Sequence, residues 1–239
     1  MTPGVDDDWY LTERDGIRTA RCRLLDRCHR FGHGFSTRDA GGADRPEAVL
    51  AAAGLAETPL RTARQVHGVR IVAASSMEDG CRADGFLTAP GGPAAGVRTA
   101  DCVPVLLADP VSGRGAVLHA GWKGTATGIV PLAVALLAGR GVAPEDLLAA
   151  QGPSIGGCCY QVGEEVVRAA GGAGVERQGD RSLLDLRKVI RMQLEAAGVP
   201  VSGISTAPWC TACDSGLFFS WRRDGNPAGR MLTVLGSTP

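Results

Sequence analysis

Histidine is scarce in this chain: there are four in 239 residues, at positions 29, 33, 67 and 119. All four precede Ser154. The stretch Gly152-Pro153-Ser154-Ile155-Gly156 fits the G-x-S-x-G pattern of a nucleophile elbow, yet it lacks the later histidine that an α/β-hydrolase triad requires. It reads instead as a strand-end loop whose glycines admit a ligand. Neither sign of charge is in excess: Lys plus Arg and Asp plus Glu both number 25, so bulk electrostatics do not favour nucleic acid as a partner. Long apolar runs are missing too. The longest, 128–139, contains Pro131 and is too short to cross a bilayer, so no membrane span is expected. The opening residues, Met1 to Asp8, are acidic and lack the basic-then-apolar order of a secretory signal, which places the expected location in the cytoplasm.

Cysteine is plentiful but scattered. The eight, at 22, 28, 81, 102, 158, 159, 210 and 213, form no compact disulfide framework and are expected to be mostly free thiols. Trp209-Cys210-Thr211-Ala212-Cys213 has the C-x-x-C spacing of a thioredoxin-type pair, but only 26 residues follow Cys213, too few to complete that fold. A lone C-x-x-C is weak evidence for structural zinc, and the adjacent Cys158-Cys159 has no ligand spacing. Both pairs are read as packing or loop residues.

What the chain does have is three short islands: Arg64-Gln65-Val66-His67-Gly68, Thr99-Ala100-Asp101-Cys102-Val103-Pro104 and His119-Ala120-Gly121-Trp122-Lys123-Gly124-Thr125. Each offers one metal donor. Two imidazoles and a thiolate make the three-ligand set of a catalytic zinc, with the fourth tetrahedral position left for water or substrate. Gly68 and Ala120-Gly121 allow close approach to the backbone. Asp101 is a candidate to orient a histidine or to carry a proton, with Asp84 as a second candidate. After His119, Gly121 and Gly124 are expected to turn the chain into a helix whose free amides, with Lys123, form an anion site. Arg38, in Phe35-Ser36-Thr37-Arg38-Asp39, could also reach an anion. Arg222, Arg223 and Arg230 are expected at the surface, paired with carboxylates such as Asp224.

Strand-like runs fall at 68–74, 85–88, 103–108, 115–119, 147–150, 201–206, 217–221 and 230–235. Helical patterns fall at 185–197, capped by Asp185 and Gly198, at 125–137, and at 46–53, with Pro46 in the first turn and Gly54 beyond the end. Their interleaving, with no repeat or linker, predicts a layered α/β sandwich with a mixed β-sheet, a single domain spanning 1–239.

Over about 35–230 the sequence resembles the laccase-domain, or polyphenol-oxidase-like, proteins described as zinc-dependent purine nucleoside phosphorylases. The resemblance is carried by Gln65-Val66-His67-Gly68, Ala83-Asp84-Gly85, Thr99 to Pro104, His119 to Gly124, Gly152 to Gly163, Cys210-Thr211, Phe219 to Arg223 and Gly229-Arg230. It implies one zinc held by His67, Cys102 and His119. It also implies phosphorolysis of adenosine, inosine and methylthioadenosine, with adenosine deamination at the same site, so the expected partners are a nucleoside and phosphate. Lys123, Gly121, Gly124 and Arg38 are then the expected phosphate holders. Oligomeric state is not readable from the chain. Three rivals differ in chemistry: a hydrolase editing cell-wall precursors, a copper-dependent polyphenol oxidase and a non-catalytic metal-stabilised protein. Copper could take the same three donors, but no further histidine cluster exists for a multicopper centre.

Overall fold

The computed structural model describes residues 8–14 and 16–238. Two six-stranded sheets lie face to face. The first has the strand order Trp9–Arg14, Ile17–Cys22, Phe31–Ser36, Met231–Ser237, Ala94–Thr99, Leu60–Arg61. The second runs Ile204–Thr206, Leu148–Gln151, Val103–Ala108, Gly115–Ala120, Gly85–Thr88, Ile71–Ala73. Most neighbours are antiparallel, and one edge pair in the first sheet and both edge pairs in the second are parallel, so both sheets are mixed. A small third sheet joins Gln161–Val162, Arg181–Leu184 and Val175–Gln178.

Period-two alternation explains the layering. In Val103–Ala108, Val103, Val105 and Leu107 face the helices Ile129–Ala138 and Leu186–Ala196, whereas Leu106 and Ala108 face the first sheet, where Phe31, Phe35, Val97 and Leu235 meet them. On the far side of the first sheet, Leu232 and Val234 pack against Val49 and Leu50 of the helix Pro46–Ala52. Gly32 matters here. A Cβ on it would lie 2.5 Å from the Ala53 carbonyl oxygen, so only glycine lets this helix end settle on the sheet. The order helix, sheet, sheet, helices bears out the layered α/β reading. Among the described residues no helix is long and apolar enough to cross a membrane.

Several expected elements end elsewhere, for local reasons. Runs 85–88 and 103–108 are strands over those same residues, and the 185–197 pattern forms the helix Leu186–Ala196, whose N-cap Asp185 accepts from the Arg187 and Lys188 amides and whose C-cap is Ala197 rather than Gly198. Residues 68–74 yield only Ile71–Ala73, because the Gly68 amide is spent on the Asp84 carboxylate rather than on a ladder. The 125–137 helix begins earlier, at Trp122, and is split at Gly128, whose φ of +94° breaks it into Trp122–Thr127 and Ile129–Ala138. No strand forms over 217–221. Ser220 instead accepts from the Arg223 amide and caps the one-turn helix Trp221–Asp224. The expectation for Met1 to Asp8 falls almost wholly outside the described residues.

Candidate functional site

The three islands meet at one end of the second sheet. His119 sits near the end of the buried strand Gly115–Ala120. Cys102 lies one residue before the neighbouring strand, with Val103 paired to Ala120 across the ladder. His67 comes from the loop before Ile71–Ala73, in a left-handed backbone conformation with φ 59°. One donor atom from each of the three lies within 4.8 Å of the others, and the two rings meet edge-on with centroids 4.8 Å apart. Two imidazoles and a thiol converging in this way can hold a metal ion. The space between them is narrow: a Cβ on Gly121 would lie 3.1 Å from both Cys102 Sγ and His67 Cδ2. Gly124 serves a parallel purpose, since a Cβ there would meet the Gly68 carbonyl oxygen at 2.8 Å. These glycines let the first and third islands close on each other.

Asp84 organises the centre. Fully buried, its carboxylate accepts from the amides of Val66, His67 and Gly68 at 2.8–3.2 Å and pairs with His119 Nδ1 at 2.8 Å. Four donors on one anion hold the His67 loop in its left-handed turn and leave His119 Nε2 to face the Cys102 thiol. Burial raises the Asp84 pKa, but the His119 hydrogen bond and the Gly68 and Val66 amides pull it below the ordinary carboxylate value. Orientation of a histidine was expected of Asp101. It falls to Asp84.

Asp101 instead braces Cys102. At φ 88° it carries the chain through a tight turn, and its two oxygens accept from the Thr211 hydroxyl and the Arg222 amide, each at 2.6 Å. Those two bonds tie the Cys102 turn to the Thr211 loop and to the helix at Arg222. The Cys102 thiol is pushed up by burial, yet hydrogen bonds from His119 and His67 outweigh that and bring it down to about 6. His119 is lowered by burial and then raised, by Asp84 and Cys102, to about 9. A thiolate stabilised beside two imidazoles is a soft-to-borderline donor set suited to zinc or copper.

The triad opens into a cavity of about 650 Å³. Its walls carry four guanidinium groups, from Arg64, Arg98, Arg222 and Arg230, and three large aromatic rings, from Trp122, Tyr160 and Trp221. Arg222 lies over the Tyr160 ring and Arg230 over Trp221, each 5.2 Å from the centroid. Gln65 clasps Arg98, its side chain bonding both the Arg98 amide and carbonyl at 2.7–2.8 Å. Tyr160 is pushed up to about 12, by burial first and then by the nearby Cys102 charge, so its hydroxyl keeps its proton at neutral pH.

The expected phosphate holders are elsewhere. Lys123 is exposed, its ammonium 5.4 Å from the Trp122 ring centroid, and does not line the cavity. Arg38 stacks on Phe219 and bonds the Ser215 carbonyl, also away from the lining. The helix that starts at Trp122 is six residues long, with Gly121 before it and Gly124 within it, and both glycines are explained by close packing. Arg223 pairs with Asp224 as expected, but Arg222 and Arg230 face the cavity. Nor do the glycines of 152–156 admit a ligand: a Cβ on Gly152 would strike the Phe35 ring at 2.3 Å.

The family model described as multi-copper polyphenol oxidoreductase laccase matches residues 30–238. The purine nucleoside phosphorylase YlmD of Geobacillus stearothermophilus is 40% identical over 191 residues, covering 72% of this chain and 70% of that protein. Purine nucleoside phosphorylase SCO2081 of Streptomyces coelicolor is 38% identical over 200 residues, covering 80% and 81%. A protein named adenosine deaminase RL5, from an unknown prokaryotic organism, is 39% identical over 158 residues, covering 63% and 60%. The crystal structure of YlmD from Geobacillus stearothermophilus superposes with a TM-score of 0.85 at 28% identity, over 96% of this chain and 99% of that one. The resemblance carried by the three islands is thereby borne out, and this chain belongs to the multi-copper polyphenol oxidoreductase laccase family.

Proposed function

We propose that this chain is a zinc-dependent purine nucleoside phosphorylase acting on adenosine, inosine and methylthioadenosine, with adenosine deamination at the same site. One observation carries the reading: a two-histidine, one-cysteine donor set at the base of a cavity whose walls combine arginine with aromatic rings. Aromatic faces suit a purine, and guanidinium groups suit phosphate through paired N–H donors. The names of the relatives YlmD, SCO2081 and RL5 support the same two activities.

His67, Cys102 and His119 fit zinc by donor chemistry and by the glycine-lined gap between them. When bound, zinc supplies a Lewis acid that polarises an oxygen or activates water. The chain's own groups do the rest. Arg64 and Arg98 are exposed at the cavity wall and are assigned to the phosphate nucleophile, in place of Arg38 and Lys123. Phosphate oxygen attacks the anomeric carbon, the bond to the purine nitrogen breaks, and that nitrogen takes up a proton, giving free base and sugar 1-phosphate. Tyr160, protonated at neutral pH, offers a hydroxyl donor to the bound substrate. Asp101 and Asp84 position the Cys102 and His119 ligands. The enzyme works as one cytoplasmic domain on small molecules, without nucleic acid or membrane.

The test is product analysis with each nucleoside, with and without phosphate, on wild type, Cys102→Ala and chelator-treated protein. Sugar 1-phosphate should appear only with phosphate, and inosine should form from adenosine; both should vanish in the variant and after chelation. Turnover that survives both treatments refutes the assignment.

A further inference from the structure

Four cysteines that look unrelated in sequence come together on the other side of the cavity wall. Cys158 and Cys159 lie on the turn after Gly156, where the amides of Cys159 and Tyr160 both donate to the Gly156 carbonyl at 3.0 Å. Cys210 and Cys213 lie on the loop after Ile204–Thr206, locked to that turn by the bridge between Ser154 and Cys210. Cys213 Sγ stands 3.3 Å from Cys159 Sγ and 3.8 Å from Cys158 Sγ, and all four sulfurs lie within 4.8 Å of one another. A tetrahedron of sulfurs around one zinc, with bonds of about 2.3 Å, has neighbouring sulfurs about 3.8 Å apart. The cluster reaches that shape by changes of about 1 Å or less in its sulfur separations.

Its surroundings also suit bound thiolates. The Gly156 amide donates to Cys210 Sγ at 3.2 Å, and the amides of Ala212 and Cys213 are directed at the same sulfur. Backbone N–H groups turned onto a ligating sulfur disperse its charge. The Arg187 guanidinium lies beside Gly156, where a Cβ would stand 2.9 Å from its Nη2 and 3.1 Å from Cys158 Sγ. That puts a cation next to a centre that carries two net negative charges when four thiolates hold one divalent ion. Asp214 secures the Cys210 amide at 2.9 Å and so fixes the start of the C-x-x-C turn.

We propose that Cys158, Cys159, Cys210 and Cys213 form a second, closed zinc site that clamps two loops behind the cavity. With all four positions filled by protein, such a site is structural and offers no place to substrate. Its position gives it a purpose. Tyr160 follows Cys159 directly and lines the cavity, and Thr211 follows Cys210 and donates to Asp101, which braces Cys102. Arg222 ties the same turn from the other side by donating to the Gln161 carbonyl at 2.8 Å. Zinc at the four sulfurs fixes the wall on which Tyr160 and the Asp101 turn depend.

Metal counting by mass spectrometry, on protein purified without a metal-affinity tag and kept reduced, tests the site without reference to activity. Wild type should hold two zinc ions per chain, Cys102→Ala one, and the double variant Cys210→Ser with Cys213→Ser also one. Zinc-edge X-ray absorption on Cys102→Ala leaves the cluster untouched and should read four sulfur neighbours at about 2.3 Å and no nitrogen. Chelating that remaining zinc should lower the melting temperature of Cys102→Ala. A Cys102→Ala protein without zinc, or with zinc bound to nitrogen or oxygen, overturns the proposal. So does iron in place of zinc.

Discussion

Replacing Asp84 with asparagine isolates the group on which the His67, Cys102 and His119 centre rests. The change keeps the volume and removes the charge. The Asp84 carboxylate accepts from three backbone amides and from the His119 ring. An asparagine can turn its remaining oxygen toward His67 and His119 or toward Gly68, and in either case its own NH2 confronts a buried donor. Leaving one buried N–H unpaired costs about 1–3 kcal/mol, and the hydrogen bonds that remain lose the extra strength of a charged acceptor. The left-handed His67 backbone, which costs about 1–2 kcal/mol to hold in a residue with a side chain, loses its restraint as well. The unpaired donor and the weakened hydrogen bonds give a destabilisation of about 3 kcal/mol, which a domain of ordinary stability survives. Loss of the outer hydrogen bond to a ligating histidine lowers metal affinity by about 10–100-fold. Urea unfolding of metal-depleted protein reads the first effect, and zinc titration against a competing chelator reads the second. Asp84→Asn protein with wild-type unfolding midpoint and wild-type zinc affinity would refute the idea that this carboxylate holds the centre together.

Other perturbations separate packing from chemistry. Gly121→Ala places a methyl group 3.1 Å from Cys102 Sγ and His67 Cδ2; zinc affinity should fall about tenfold or more while the melting temperature of the metal-free protein moves little, and unchanged affinity would mean that the gap between the ligands is not tight. Arg64→Ala and Arg98→Ala each remove an exposed guanidinium from the cavity wall; if these groups hold phosphate, KM for phosphate should rise about 10–100-fold with unfolding unaffected, as a charge-assisted bond worth about 1.5–3 kcal/mol predicts. The pH dependence of stability should report His33, whose fully buried ring accepts from the Cys22 amide at 3.0 Å and whose pKa is lowered to about 3, by burial first and then by the Arg21 charge. The unfolded chain takes up this proton below about pH 6.5 and the native chain does not, so the contribution is complete above that value and is lost as pH falls toward 3. From about pH 6.5 to 4.5 the loss is about 2 kcal/mol, and His33→Gln should flatten the slope of unfolding free energy over that range; equal slopes in the two proteins would contradict it.

The parts of this molecule that were legible in its sequence are those whose physics is local. Val103–Ala108 reads as a strand because an unbroken apolar run of that length belongs in a buried sheet, and Gly85–Thr88 because Phe86 and Leu87 stand between a glycine and a β-branched threonine. The helix Leu186–Ala196 reads from its apolar spacing and its Asp185 cap. His67, Cys102 and His119 stood out because histidine is rare and each donor sits in an island of small residues. The three N-terminal strands and Ala94–Thr99 carry no comparable pattern: Ile17–Cys22 includes two arginines and a threonine, and Ala94–Thr99 is mostly small side chains with Arg98 among them, so both are strands because neighbouring strands pair with them. Roles set by distant contacts were equally hidden. Asp101 and Asp84 are both acidic residues beside an island, and only the fold decides that one meets Thr211 and the other His119. Arg222 and Arg38 differ in the same way, since which guanidinium reaches the cavity depends on how the chain near residue 220 crosses the second island. The cysteines make the point most sharply. Cys158-Cys159 and Cys210-x-x-Cys213 are each uninformative alone, and they share one location because the Ser154 bridge to Cys210 joins segments more than fifty residues apart. Metal sites drawn from a single turn can be read from spacing; one assembled across a sheet end has to be read from the register that builds it.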